Sequence, residues 1–214
     1  MKKTILLAIL GIFFLGINAQ AYIKDYPPYS FKEGLPNALN IQPIKRNTLP
    51  DSKNLSLANA WDKPLPMETY RLDLDKNGLE DKVVFSWRGG CGLASMCYRV
   101  DIFLKDKTGH DHKISYDTMN PDIQDFSDLN HDGKSEVIIT GYYQGSKHNY
   151  FTYDVYQFDG FKLKNADKQF KGFPKFIWLT NKPNDKDTTH LTQKERAEHV
   201  REKNSSIIYK ETTR

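Results

Sequence analysis

The chain has 214 residues, and its 31 basic and 27 acidic side chains give a net charge of +4 at neutral pH. This length fits one domain with a sizeable core. Strong hydrophobicity is confined to the N-terminal stretch, so no membrane-spanning helix is expected in the rest of the chain.

Residues 1–21 have the three parts of a secretory signal peptide. Lys2 and Lys3 supply the positive charge, an apolar stretch runs from Ile5 to Ile17, and Ala19-Gln20-Ala21 fits the small-x-small cleavage rule. The apolar stretch is shorter than the ~20 residues that a membrane-spanning helix needs. We therefore expect an exported protein, periplasmic or secreted, with no transmembrane segment after cleavage.

Residues 22–66 form a proline-rich segment. It contains Pro27, Pro28, Pro36, Pro43, Pro50, Pro64 and Pro66. Proline removes a backbone donor and interrupts helices, so this segment is predicted to lie extended across the rest of the domain.

An acidic loop then occurs twice in the chain. The first copy reads Asp73-Leu-Asp75-Lys-Asn77-Gly78-Leu-Glu-Asp81, and the second reads Asp128-Leu-Asn130-His-Asp132-Gly133-Lys-Ser-Glu136. Oxygen-bearing side chains at positions 1, 3, 5 and 9, with glycine at position 6, suit a hard cation such as Ca²⁺. β-branched and aromatic residues follow each loop, so each is predicted to lead into a strand rather than into a helix.

The repetition extends beyond the loops. The second loop starts 55 residues after the first (128 − 73), and Tyr98–Phe103 aligns with Tyr153–Phe158 at the same offset. Each copy reads as loop, strand, connection, strand, turn and strand, which is an antiparallel meander. We predict a mainly β fold with a two-repeat domain over 67–180, repeats at about 67–116 and 122–164, and a short C-terminal helix.

This pattern resembles the FG-GAP or VCBS repeat family, whose acidic loops bind Ca²⁺ between strands. The resemblance covers roughly residues 66–164 and implies propeller-blade-like meanders. Two copies are fewer than the about four blades of a closed propeller. The implied ligands are the side chains of Asp73, Asp75, Asn77, Asp81, Asp128, Asn130, Asp132 and Glu136, with the carbonyls of Leu79 and Lys134. Another reading of these loops is that Asp, Asn and Gly merely favour turns. Two copies in register favour the calcium site.

Cys91 and Cys97 are the only cysteines of the chain. In an exported protein, an even pair at short spacing is typical of a disulfide bond. The spacing is not that of a Cys-x-x-Cys redox motif, and no His lies close enough in sequence to complete a zinc site. We predict a disulfide that closes the glycine-rich connection between two strands of the first repeat.

The C-terminal region, 181–214, reads as a polar loop followed by a helix and tail. Thr192 and Glu195 form a capping box, and only Ala197 and Val200 give the helix an apolar side, so loose packing is expected. Residues 66–161 carry 10 basic and 16 acidic side chains (10 − 16 = −6), whereas 162–214 carry 13 and 7 (13 − 7 = +6). The basic end either meets an anionic partner or a membrane surface, or is simply solvated.

No catalytic motif is evident in the sequence. The connections at 88–97 and 144–150 occupy matching positions of the two repeats, and their composition suits protein contacts. The predicted partner-binding residues are Arg88, Tyr143, Lys147, His148 and Tyr150. We therefore predict a non-enzymatic binding module with a protein partner and no nucleic acid, one version being an inhibitor or immunity protein for a periplasmic toxin or hydrolase. The alternatives are a calcium-dependent periplasmic hydrolase acting on glycan or phosphate, and a structural surface protein.

Overall fold

The computed structural model describes residues 37–48, 57–90, 96–145, 149–171, 173–178 and 192–212. The predicted signal peptide, the beginning of the proline-rich segment and Cys91 lie outside the described residues. No helix among the residues described is both long and apolar enough to cross a membrane.

The first repeat folds into one antiparallel sheet, which has six strands within the described residues. They are β1 (Lys45–Arg46), β2 (Leu65–Leu72), β3 (Asp81–Gly90), β4 (Met96–Lys105), β5 (Asp111–Met119) and β11 (Ile208–Thr212). Their order across the sheet is β1-β2-β3-β4-β5-β11. The C-terminal strand β11 pairs with β5, so the tail is an edge of this sheet rather than a separate region.

The second repeat folds into the second antiparallel sheet, described here with five strands. They are β6 (Phe126–Ser127), β7 (Glu136–Gln144), β8 (Asn149–Asp159), β9 (Lys162–Asn165) and β10 (Lys175–Trp178). The order is β10-β8-β7-β6, and β9 also pairs with β8. The predicted class, a mainly β protein built from two antiparallel meanders that do not close into a propeller, is confirmed.

The two sheets stack face to back, like successive copies of one unit. Val83 of β3 and Val137 of β7 both belong to the core cluster between the sheets. At the offset of 55 residues, however, Val137 corresponds to Lys82, and Val83 corresponds to Ile138. Ile138 faces the opposite side of the second sheet, in a separate cluster with Phe151, Tyr153, Val155, Phe170 and Phe173. One face of the first sheet therefore has no second-repeat sheet packed on it.

The described part of the N-terminal segment crosses both repeats. The Leu39 N–H donates to the Phe126 carbonyl at 3.2 Å, and the Ile44 N–H donates to the Thr69 carbonyl at 2.8 Å. The side chains of Leu39 and Ile41 pack against the core between the sheets.

Two α-helices lie within the described residues, α1 (Leu57–Asp62) and α2 (Gln193–Ser206). The predicted capping box starts α2. The Thr192 hydroxyl accepts the Glu195 N–H, and the Glu195 carboxylate accepts the Thr192 N–H at 2.8 Å. These bonds satisfy backbone donors that a helix N-terminus leaves unpaired.

Polar contacts hold α2 on the second sheet. His199 is only 2% exposed, and its Nε2 lies 2.9 Å from the carboxylate of fully buried Asp154. The rings of Tyr143 and Phe176 meet the His199 ring edge-on, with centroids 5.4 and 5.1 Å away. The expectation of a loosely held helix is therefore wrong, because it considered only apolar side chains.

A lysine of the same helix fits into a space left by a glycine. The Lys203 amine lies so close to Gly141 of β7 that a Cβ at Gly141 would collide with it. Burial lowers the pKa of Lys203, whereas the negative charges of Asp154 and Asp117 act in the opposite direction. The helix thus brings two basic groups to the buried Asp154.

Removing the His199 side chain should weaken the packing of α2 on the second sheet and lower the free energy of unfolding. His199→Ala leaves Asp154 buried without its imidazole partner, which costs about 3–5 kcal/mol of unfolding free energy. Urea denaturation would measure the loss, and adding Asp154→Asn should recover part of it. Arg201→Ala, at an exposed 3.7 Å surface pair with Glu198, is the matched control and should cost under about 1 kcal/mol. Equal losses in the two single variants would contradict this account.

Candidate metal centre

The two acidic loops share one backbone conformation. At position 4, Lys76 and His131 have φ of 59° and 62°, and at position 6, Gly78 and Gly133 have φ of 84° and 88°. These left-handed values are unusual for Lys and His and easy for Gly. The sequence repetition is therefore also a repetition of loop geometry.

The first residue of each loop closes the turn. The Asp73 carboxylate accepts the N–H groups of Asn77 and Gly78 at 3.0 and 2.8 Å. The Asp128 carboxylate accepts the matching N–H groups of Asp132 and Gly133 at 3.0 and 2.9 Å. These bonds hold the loop closed and fix where each carboxylate points.

The ninth residue of the first loop is a buried carboxylate that joins three parts of the repeat. Asp81, at the start of β3, accepts the N–H of Leu74 in the loop and the N–H of Lys105 at the end of β4, both at 2.9 Å. Burial raises the pKa of Asp81, the two backbone bonds lower it, and the nearby charges of Asp75 and Asp73 raise it, which together give a pKa of about 6. The ionised form of Asp81 is therefore disfavoured, and a bound cation would stabilise it.

Three carboxylates of the first loop converge. Oxygens of Asp73, Asp75 and Asp81 all lie within 4.8 Å of one another. Oxygens bound at 2.3–2.6 Å to one Ca²⁺ are separated by no more than about twice that length, so this spacing fits a shared ion. The purely oxygen donor set fits a hard cation.

The other implied ligands of this loop lie beside the three carboxylates. The Asn77 side chain donates to Asp75 at 3.1 Å and accepts the Leu79 N–H at 2.8 Å. Asn77 also donates to the Lys105 carbonyl at 3.0 Å. Its amide therefore ties the end of the loop that holds the three carboxylates to β4.

The second loop differs at its ninth residue. Glu136 is buried and accepts the Leu129 N–H at 2.7 Å, as Asp81 does for Leu74, but its other oxygen accepts the Gln157 side chain at 3.0 Å. Burial raises the pKa of Glu136. Within the described residues, three acidic groups converge in the first loop and not in the second. Asn130, Asp132 and Lys134 keep the turn bonds of the first loop, with the Lys134 N–H donating to Asp132 at 2.8 Å.

A lysine from the first loop reaches the second. The Lys76 ammonium donates to the Asp132 carbonyl at 3.0 Å and lies where a Cβ on Gly133 would be. The Ser135 N–H also donates to the Leu74 carbonyl at 3.0 Å, so the two loops touch. The positive charge of Lys76 opposes a metal ion in the second loop. The acidic-loop pattern leaves position 4 variable, so the sequence does not predict this contact of Lys76 with the second loop.

The predicted partner-binding tyrosines are largely interior. Tyr150 is 1% exposed and Tyr143 is 9% exposed, and both pack edge-on against Phe176. This burial contradicts the prediction that the two tyrosines contact a partner. The alternation of side chains along the strands points both rings into the protein. The neighbouring Tyr142 is the exposed one, at 39%. Lys147 and His148 lie outside the described residues.

Arg88 lies against α1 on the first sheet. One terminal nitrogen of its guanidinium pairs with Asp117, and the other terminal nitrogen donates to the Trp61 carbonyl at 2.6 Å. The guanidinium carbon lies 4.6 Å from the centre of the Trp61 ring, whose side chain is 44% exposed. Arg88 therefore supports an exposed tryptophan.

The predicted disulfide would close the hairpin between β3 and β4. Gly90 pairs with Met96 across this hairpin, and these residues directly precede Cys91 and Cys97 in sequence. Because Cys91 lies outside the described residues, the disulfide stays a prediction.

We expect cation binding to depend on the first loop more than on the second. Asp73→Asn should weaken calcium binding by at least about tenfold, or more than about 1.4 kcal/mol, whereas Asp128→Asn should change the main binding event little. Titration calorimetry of both variants, with melting curves in calcium and in chelator, would measure this. Lys76→Ala should strengthen binding by the second loop. Equal weakening by the two Asn variants would contradict the asymmetry.

Stability without a cation should depend on the ionisation of Asp81. The folded pKa, about 6, lies above the usual 3.8. The folded state therefore holds a proton that the unfolded state has released, and stability from this group is full below pH 3.8 and lost as pH rises through 6. The loss is at most about 3 kcal/mol.

Urea denaturation in chelator between pH 4.5 and 7 would test this dependence. The slope should decrease in Asp81→Asn, and calcium should restore stability mainly above pH 6. Asp167, whose pKa burial also raises to about 6, remains in that variant and leaves a residual slope. An unchanged slope in Asp81→Asn would show that this carboxyl is not responsible.

Comparisons with known proteins found no matching family model, no matching curated protein and no matching solved structure. The likeness of the loops to calcium-binding repeats thus stands on the residues and geometry described above.

Proposed function

We propose that this protein is an exported calcium-binding β-repeat protein that acts as a non-enzymatic binding module. The observation that carries the proposal is the convergence of Asp73, Asp75 and Asp81 within 4.8 Å in a loop of defined conformation. Three carboxylates so close together repel one another, and a bound cation removes that repulsion.

Calcium would act on the structure in this proposal. The first loop joins β2 to β3, and Asp81 bonds to the end of β4 through the Lys105 N–H. An ion held by Asp73, Asp75 and Asp81 would therefore hold three strand ends together. Calcium supplies positive charge at this point and no chemistry of its own.

The reading as a binding module rests on where the reactive side chains lie. The imidazole–carboxylate pair of His199 and Asp154, a pairing that enzymes use for proton transfer, is 2% and 0% exposed. It has no access to a substrate and serves to dock α2. A hydrolase acting on glycan or phosphate would need an accessible acid or base. The partly exposed pair of His112 and Asp106, 3.0 Å apart, lies at the turn between β4 and β5, where the Asp106 carboxylate also accepts two backbone N–H groups and so holds the turn.

The surface beside α1 presents side chains of the types that are common in protein interfaces. Trp61 and Arg88, stacked at 4.6 Å, belong to the residue types that dominate binding energy at protein interfaces. An inhibitor or immunity protein for a periplasmic toxin or hydrolase is one form of this proposal. The exposed Trp61 ring replaces Tyr143 and Tyr150 as the expected anchor.

The partner surface can be tested by affinity capture from periplasmic extract followed by mass spectrometry. We expect a partner that is retained by the wild type in calcium and reduced at least about tenfold by Trp61→Ala, since aromatic anchors contribute about 2 kcal/mol or more. Phe161→Ala, at another exposed aromatic residue, is the control and should retain it. Equal capture by Trp61→Ala and wild type would rule out this surface.

A further inference from the structure

We propose that the outer face of the first sheet binds an acidic polysaccharide along a line of cationic side chains. This site is separate from the acidic loops and does not require calcium. The proposal rests on strand register, on side-chain contacts and on a comparison of the two repeats.

The strand register aligns five residues in one row across the sheet. Arg71 pairs with Lys82, Lys82 with Phe103, Phe103 with Lys113, and Lys113 with Lys210. Directly paired residues project from the same face of a sheet, and neighbouring strands lie about 4.8 Å apart. The row therefore spans roughly 19 Å, with four cations and one aromatic ring. We call it the cationic row.

Side-chain contacts place the middle of the row on the outer face. The Lys82 ammonium lies 3.9 Å from the centre of the Phe103 ring, and the Lys113 ammonium lies 5.3 Å from it. Adjacent residues such as Val83 and Ile102 point the other way, into the core between the sheets. The ring thus holds two ammonium groups on the face that points away from the core between the sheets.

The charges of the cationic row are only partly neutralised. Arg71 pairs with Glu80 at 2.7 Å, and Lys113 pairs with Asp101 at 3.0 Å. Lys82 and Lys210 have no acidic partner among the described residues. Like charges directly opposite each other destabilise a sheet, and this row contains two such pairs. Folding alone gives no reason to place them there.

The second repeat shows that the row is not part of the repeated framework. The residue equivalent to Lys82 is Val137, which is buried between the sheets. The first sheet is the end of the stack, and an end needs a polar face to remain soluble. Acidic residues would serve that purpose equally well, yet all four charged residues of the row are cations, although residues 66–161 carry a net charge of −6. The positive charge of the row therefore points to an anionic ligand.

The arrangement fits a chain better than a flat surface. Asp101 and Glu80 flank the row, so a planar anionic membrane would meet negative charges together with the positive ones. The Phe103 ring is covered by two ammonium groups and offers no apolar anchor to lipid. A linear polymer with repeated carboxylates can follow the row from Arg71 to Lys210 and avoid its acidic borders.

Polygalacturonate is a suitable probe, with its methyl ester as the neutral match. Binding is measured by fluorescence anisotropy of the labelled polymer. The buffer contains a chelator, because the chelator removes any calcium that could bridge protein and polymer. We expect the wild type to bind the acidic polymer and not the ester, with affinity falling as salt rises. Lys82→Gln combined with Lys210→Gln should lose at least about tenfold in affinity. Lys164→Gln with Lys168→Gln, at two exposed lysines on β9 and just after it that do not line the cavity beside Lys113 and Lys210, is the matched control and should bind as the wild type.

Several results would overturn the proposal. Unchanged binding by the Lys82/Lys210 variant, together with new self-association in analytical ultracentrifugation, would show that the row only caps the stack. Equal binding of single-stranded DNA or of phosphatidylglycerol vesicles, with the same loss in the variant, would show a general polyanion surface. A melting temperature equal to that of the wild type confirms that the variant is folded. Failure here leaves calcium binding by the loops unaffected, since both are measured separately.

Discussion

Each repeat is held together by the hydrogen bonds that the ninth residue of its acidic loop accepts. Asp81 and Glu136 are buried carboxylates, and each accepts a backbone N–H from inside its own loop. Each also accepts a bond from the next strand of the meander, from the Lys105 N–H or the Gln157 side chain. A buried carboxylate is costly unless it is hydrogen-bonded. The loop conformation and the strand pairing supply the donors that make its burial tolerable.

The two copies have diverged in how they satisfy this constraint. The shorter Asp81 leaves its loop with three converging carboxylates, whereas the longer Glu136 reaches Gln157. Lys76 supplies a positive charge to the second loop from the first. One copy thus keeps the converging carboxylates that the proposed calcium site requires, and the other is partly neutralised from within the protein. Duplication followed by such divergence gives two loops of the same shape with different electrostatics.

Local sequence patterns were sufficient for the repeats and insufficient for what joins them. The acidic loops, the meanders and the capping box at Thr192 each follow from residues close in sequence, and the structure contains all three elements. The docking of α2 depends on His199, Asp154 and Lys203, whose partners are distant in sequence, and an apolar periodicity cannot reveal it. Tyr143 and Tyr150 were misassigned because their type suits an interface, while their strand alternation places them inside. The pairing of β11 with β5 also depends on contacts far apart in the chain.

Face-to-back stacking explains why repeated positions carry such different residues. In an endless stack every copy would bury both faces of its sheet, and Lys82 would be as apolar as Val137. With two copies, one face of the first sheet is left without a neighbouring sheet, and the far face of the second is packed by Phe170 and Phe173. The apolar end is thus covered by residues that follow β9, and the other end is left polar. That open end is free to evolve a surface of its own, and the cationic row of Lys82, Lys113 and Lys210 lies there.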